Sequence, residues 1–160
     1  MKSCYSLKVG KKIIPFKCKS LIEGENFDLS QIRKPVFALF WCVDCICSLY
    51  EMANINNKVI NLYKEKVDFL FINCGDNIDD VNEYFNKNRL KMSLIDFKTR
   101  YVCVDYFDYI TNLINIVDIP TSIIIDENLF IRSILVGKNK VEKYLNCIDN
   151  VLSNLNNQKN

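Results

Sequence analysis

Cys42, Cys45 and Cys47 fall within six residues, in the stretch ALFWCVDCICS from Ala38 to Ser48. Thiols so close together admit three chemistries: thiol–disulfide exchange, metal ligation, or burial as small apolar side chains. Two positions three apart across a helix start bring their sulfurs within bridging reach, where Cα atoms lie about 5.5 Å apart. Cys42 and Cys45 meet that requirement, and Cys45 with Cys47 meets it only with strain. A thiolate is the attacking species in exchange, and the unpaired N–H groups and dipole of a helix N-terminus lower a thiol pKa. Such activation needs no imidazole, and this chain has no histidine. A Cys–His protease, a Ser–His–Asp hydrolase and a His-containing zinc site are therefore excluded. Acid–base work falls to carboxylates, lysines, tyrosines or thiols.

Metal ligation is the first rival. Zinc and iron–sulfur sites usually draw four ligands from two paired motifs, and CVDCIC has no second motif to pair with. Neither a metal nor any other cofactor is expected. The other five of the eight cysteines, Cys4, Cys18, Cys74, Cys103 and Cys147, are scattered without paired spacing and read as buried small hydrophobes.

Around these thiols the chain must supply a frame. Its 160 residues are 49% hydrophobic, enough for one domain with a real core. The expectation is a single domain over 1–160, ordered from about 9 to 155, with the polar tail SNLNNQKN frayed. A balance of 21 basic against 19 acidic side chains argues against a nucleic-acid partner. No apolar run approaches the ~18 residues of a membrane span. The first residues lack the apolar core of a signal peptide, so a cytoplasmic monomer is expected.

PVFALFW, Pro35 to Trp41, is a continuous apolar run suited to a strand buried on both faces. From Leu49 onward, Leu49, Met52, Ala53, Val59, Ile60 and Tyr63 recur at helical spacing. VDFLFIN, Val67 to Asn73, is a second buried strand, followed by a helix over IDDVNEYFNKN that Asp76 or Asn77 can cap. This β–α–β order implies a parallel pair with a right-handed crossover. YVCVD predicts a short strand and YITNLIN a helix. VDIPTSIIIDENLFIRSILVG predicts an antiparallel hairpin turning at DEN, and a last helix follows from about Lys140.

A buried strand, a Trp, a C-x-x-C at a helix start and a later IPT before a hairpin together resemble the thioredoxin-like superfamily. The opening VGKKIIPFKCKSLIEGENFDLSQIRKPVFALFW and the later PTSIIIDENLFIRSILVG are similar to its TlpA/ResA branch of thiol–disulfide oxidoreductases, over roughly Val9 to Leu155. The resemblance implies an α/β thioredoxin-like fold: a central mixed sheet flanked by helices on both faces, with an N-terminal β-hairpin extension. It implies a cis Ile119–Pro120 bond lying against the redox site, with Ile119, Pro120 and Thr121 contacting substrate.

One departure leaves two registers open. Counted without gaps from KPVFALFW, the first cysteine of the branch falls on Cys45 and the second on Ser48, and Glu51 lands where the branch often has a glutamate. Read locally, WCVDC makes Cys42 attack and Cys45 resolve. Cys42 and Cys45 are the expected catalytic pair in either register. Asp44 is expected to disfavour a thiolate nearby, which tilts the reading toward a reductant. Trp41 either presents a flat apolar surface to substrate or packs in the core. Glu51 is either a proton relay or, the favoured reading, an exposed helix residue. Cys47 and Ser48 are possible accessory residues.

The resemblance thus implies exchange with protein disulfide substrates and an unidentified thiol reductant as partner. The alternative is a redox-inactive or monothiol binding or chaperone module, with Ser48 in the resolving position. Peroxiredoxin chemistry wants Thr or Ser three residues before its cysteine. Leu39 and Cys42 stand there instead, so it ranks low.

Overall fold

The computed structural model describes residues 5–22, 25–87, 97–99 and 101–159. Cys4, Asn88 and Asn160 of the sequence reading lie outside them. The apolar run after Pro35 forms strand β3, Val36–Trp41, buried along its whole length. Its side chains alternate between two cores, as a period of two requires. Phe37, Leu39 and Trp41 enter one core with Met52, Ile55, Tyr84 and Tyr144. Val36, Ala38 and Phe40 enter the other with Phe16, Ile110, Ile114 and Ile131. Burying a side chain as large as Leu or Phe stabilises by about 1.5–3 kcal/mol, so this strand alone anchors both layers.

Strand β4, Asp68–Asn73, pairs parallel with β3 in the register Val36–Asp68 to Trp41–Asn73. Strand β5, Tyr101–Val104, pairs parallel with β4. On the other side, β6, Thr121–Ile125, runs antiparallel to β3, and β7, Ile131–Val136, antiparallel to β6. The sheet order is β5-β4-β3-β6-β7, a mixed sheet. Strands β1, Lys17–Lys19, and β2, Asn26–Asp28, form the expected N-terminal hairpin as a separate two-stranded sheet.

Helix α1, Ile46–Asn54, passes through a π-helical stretch, Ile55–Val59, into α2, Ile60–Tyr63. Helix α3, Ile78–Lys87, starts at Asn77, whose side chain accepts the Asp80 N–H at 2.9 Å. Helix α4 covers Tyr109–Ile114 and α5 covers Val141–Lys159. Residues of α1, α3 and α5 line one core and those of α4 the other, so helices cover both faces. No helix among the described residues is long and apolar enough to cross a membrane.

Two boundaries differ from the sequence reading. Helix α1 begins at Ile46, three residues before Leu49; Ile46 and Cys47 are exposed and the buried Ser48 is polar, so no apolar periodicity marks this first turn. Helix α5 runs to Lys159, through the polar stretch expected to fray, with Val151 and Leu155 buried on its inner face.

Candidate active site

Parallel strands β3, β4 and β5 end side by side, and the loops after them gather at one edge of the sheet. The Cys74 N–H bonds the Trp41 carbonyl at 2.8 Å, and the Asp105 N–H bonds the Asn73 carbonyl at 2.8 Å. Asp76 ties the first two loops together. Its Oδ2 accepts the Val43 N–H and the Asn73 side-chain amide, each at 2.7 Å. That fixes the turn between Cys42 and Cys45, and sequence reasoning had offered Asp76 only as a possible helix cap. Gly75 lets the chain turn here with φ of +80°, a conformation a Cβ would strain.

Cys45 is the N-cap of α1, and its carbonyl receives the Leu49 N–H at 3.1 Å. This is the helix placement of the ungapped register: Cys45 stands at the helix start and Cys42 lies before it in the loop. The Cys45 Sγ is 3.9 Å from the Ile119 carbonyl oxygen. The Ile119–Pro120 peptide is cis, and Pro120 is buried. The Thr121 side chain is also buried and donates to the Asp118 carbonyl at 2.7 Å, so it braces the turn and does not face outward as a substrate contact.

The two thiols differ in acidity. Partial burial pushes Cys45 up, but the Ser48 hydroxyl, the Ser48 and Cys47 backbone N–H groups and the Cys42 thiol together outweigh it, and its pKa is lowered. Burial pushes Cys42 up, and the negative charges of Cys45 and Asp76 add to it. Of the pair, Cys45 is therefore the readier thiolate. Asp44 is exposed, and the carboxylate that acts on the pair is Asp76, through Cys42. Asp44 was expected to disfavour a thiolate nearby; Cys42 is raised, but Cys45 is lowered, so the pair as a whole is not held protonated.

Three more placements correct or decide the sequence reading. Trp41 is fully buried and packs against Tyr84 and Phe85 at centroid distances of 6.2 and 5.9 Å, so it is a core residue and offers no surface to substrate. Glu51 is fully buried, not exposed. Its carboxylate accepts the Asn139 N–H at 3.0 Å and the Tyr144 hydroxyl, fixing α1 to the start of α5. Ser48 is fully buried one turn into α1, and its Oγ meets no conventional hydrogen-bond acceptor or donor among the described residues apart from its approach to the Cys45 sulfur. Cys47 points to solvent. Among the described residues no cluster of three or more Cys, Asp or Glu side chains is arranged to hold a metal ion.

A profile of the AhpC/TSA family matches residues 9–134. The chain belongs to the AhpC/TSA family. Within it, the chain is a thioredoxin-like thiol–disulfide oxidoreductase. It is 27% identical over 131 residues to the thiol-disulfide oxidoreductase ResA of Geobacillus kaustophilus, an alignment covering 79% of this chain and 71% of that one. The fold is shared with StoA from Bacillus subtilis, at a TM-score of 0.68 and 19% identity over 84% of this chain and 96% of that one. It is shared also with the 2-Cys peroxiredoxin of Plasmodium vivax, at a TM-score of 0.74 and 17% identity over 92% of this chain and 98% of that one.

Proposed function

We propose that this AhpC/TSA protein exchanges disulfides with protein substrates, with Cys45 as the attacking thiol and Cys42 as the resolving one. The observation that carries this reading is the position of Cys45. It sits at a helix N-terminus with a lowered pKa, three residues from Cys42, and its sulfur faces the Ile119 carbonyl at 3.9 Å.

In the reductive direction, the Cys45 thiolate attacks one sulfur of a substrate disulfide. The substrate S–S bond breaks, its leaving sulfur takes a proton, and a mixed disulfide joins Cys45 to the substrate. Cys45 then carries no charge, so one of the influences holding Cys42 protonated disappears. Cys42 loses its proton and attacks the Cys45 sulfur, which forms the Cys42–Cys45 disulfide and releases the second substrate thiol. The substrate gains two electrons and two protons, and the enzyme dithiol loses them. A thiol reductant from another molecule restores the pair, and the same steps run backwards oxidise a substrate. Ile46 and Val117 expose apolar side chains on the segments that carry Cys45 and Ile119, where an unfolded polypeptide would lie.

Insulin reduction driven by dithiothreitol tests the assignment. Cys45→Ser is expected to lose about 100-fold or more, the scale of removing a nucleophile. Cys42→Ser should lose turnover yet accumulate a mixed disulfide through Cys45. Full activity in both variants would overturn the reading. A second reading, a monothiol module that captures partners, is favoured by Ser48 within reach of Cys45. It predicts that Cys42→Ser and the unaltered chain behave alike.

A further inference from the structure

The loop after β7 sets a group of uncompensated lysines beside the exchange site. The Gly137 N–H bonds the Pro120 carbonyl at 2.8 Å, and the Asn139 N–H bonds the Glu51 carboxylate at 3.0 Å. These two bonds pin the loop to both parts of the site, the cis-proline turn and helix α1. Between the loop and the outer side of α1 lies an open groove of about 460 Å³, whose lining includes Tyr50, Asn54, Lys58, Lys138, Lys140 and Glu142. Its two walls meet where the Lys138 Nζ stands 3.9 Å from the centroid of the half-exposed Tyr50 ring, a cation–π contact. Lys58, Lys138 and Lys140 are all exposed, and among the described residues none of them has a carboxylate within ion-pairing distance. Glu142 is the one carboxylate in the lining, so the groove carries an excess of positive charge.

We propose that this groove selects, among disulfide-bonded polypeptides, those with an acidic segment roughly two to six residues from the reacting cysteine. The inference rests on the exchange reading and names its substrate class. Tyr50 follows Cys45 by five residues, about 7.5 Å along the helix axis, and the groove runs on from there toward Lys58. An extended chain advances about 3.3 Å per residue, so a substrate joined to Cys45 reaches Tyr50 with its second or third residue and the lysines with those that follow. Asp and Glu side chains there supply the carboxylates that the three lysines lack, and the Tyr50 ring gives an apolar surface to the residues between. The groups that set the acidity of Cys45 are its burial, Ser48, Cys47 and Cys42, with no lysine among them. The lysines therefore act on the substrate chain, through binding and encounter, and leave the attacking sulfur as it is.

The test reads docking and exchange apart, on the full chain. Fluorescence anisotropy measures binding to the exchange-dead double variant Cys42→Ser/Cys45→Ser. The probes are labelled peptides of one length that carry Glu, Gln or Lys at those positions beside a blocked cysteine. The Glu peptide should bind about fivefold or more tighter than the Gln peptide, the scale of two or three exposed ion pairs, and the Lys peptide weakest. The advantage should vanish in about 1 M salt, where charges are screened beyond ~3 Å. With the unaltered chain, the same order should appear in KM for the disulfide-linked peptides at constant kcat. Lys138→Glu combined with Lys140→Glu should abolish or reverse the preference in both assays. Reduction of hydroxyethyl disulfide, a small neutral substrate, and the alkylation midpoint of Cys45 should not move. If the charge reversal disturbs the loop, Lys138→Gln combined with Lys140→Gln should still remove most of the preference. Equal binding of the Glu and Gln peptides, or a preference that survives these substitutions, would overturn the proposal. An unaltered chain that discriminates the peptides but turns over no disulfide would support the groove and overturn the exchange reading.

Discussion

The sulfur of Cys45 lies 3.9 Å from the carbonyl oxygen of Ile119, across 74 residues of chain. The relation exists because β3 and β6 are antiparallel neighbours. The end of β3 feeds the Cys42–Cys45 turn, and the start of β6 carries Ile119 and Pro120 just before it. A thiol at a helix N-terminus gains N–H donors on one side and, on the other, faces a backbone carbonyl at a strand entry that an extended substrate chain can approach. The reactive position is thus defined by backbone groups of two elements, with one hydroxyl, Ser48, and one thiol, Cys42, as side-chain partners.

The first prediction concerns alkylation. With its pKa lowered from 9.0, Cys45 is thiolate over a pH range where an ordinary cysteine is still protonated. Cys42, with its pKa raised, is not. Iodoacetamide labelling followed by peptide mapping should find Cys45 reacting first, with a midpoint below pH 9, and Cys42 reacting later. Ser48→Ala removes a hydroxyl that donates to the thiolate, so the Cys45 midpoint should move upward. Because that Oγ has no other partner, folding stability should change by no more than about 1 kcal/mol. An unchanged midpoint in Ser48→Ala would remove the hydroxyl from the account of Cys45.

Trp41→Phe separates packing from recognition. The indole is fully buried, and its Nε1 has no hydrogen-bond partner among the described residues. The smaller ring leaves a cavity but also removes an unpaired buried donor, so the two effects partly cancel. A loss of about 1–2 kcal/mol in urea unfolding is expected. Insulin reduction should stay within about threefold, since the ring does not reach the surface where substrate binds. A tenfold drop in kcat/KM with unchanged stability would return Trp41 to a role in recognition.

Much of this was legible in the sequence, and the residues show why the rest was not. The apolar runs Val36–Trp41 and Phe69 to Ile72 announce themselves as strands because burial on both faces leaves no polar position within them. The IPT and C-x-x-C motifs, in order, carry the superfamily. Ile46 and Cys47 are exposed in the first turn of α1, so periodicity starts only at Leu49, and the helix was placed late. Trp41 was open between two readings, although its alternation with Phe37 and Leu39 already put it on a core face. Glu51 reads as surface because carboxylates usually are, and its partners Asn139 and Tyr144 lie 88 and 93 residues away.

Glu51 offers a test of that long-range tie. Glu51→Ala leaves the Asn139 N–H and the Tyr144 hydroxyl without their buried acceptor and opens a small cavity. The expected cost is about 2–4 kcal/mol in chemical denaturation. Glu51→Gln keeps one carbonyl oxygen and nearly the same volume, and should cost about 1 kcal/mol. If both variants lose equally, the full carboxylate and not packing volume is what ties α1 to α5, because Gln keeps the volume. The readout is the urea midpoint at constant slope.

Cys74 makes the last prediction, on alkaline stability. It is buried behind the Cys42 loop, and burial pushes its thiol up to about 12 from an ordinary 9.0. The folded pKa is raised, so the neutral thiol belongs to the folded state and the thiolate to the unfolded one. Its contribution is fully present below pH 9 and is lost as pH rises from 9 toward 12, because only the unfolded chain releases the proton. One such group gives a slope of at most about 1.4 kcal/mol per pH unit. Cys74→Ala deletes the titration, so its stability should fall less steeply than that of the unaltered chain between pH 9 and 11. Its stability at pH 7 should drop by about 1 kcal/mol for the lost sulfur. Comparing the slopes of the two urea-unfolding series against pH isolates the titration from that packing cost, and parallel slopes would show that Cys74 ionises as readily folded as unfolded.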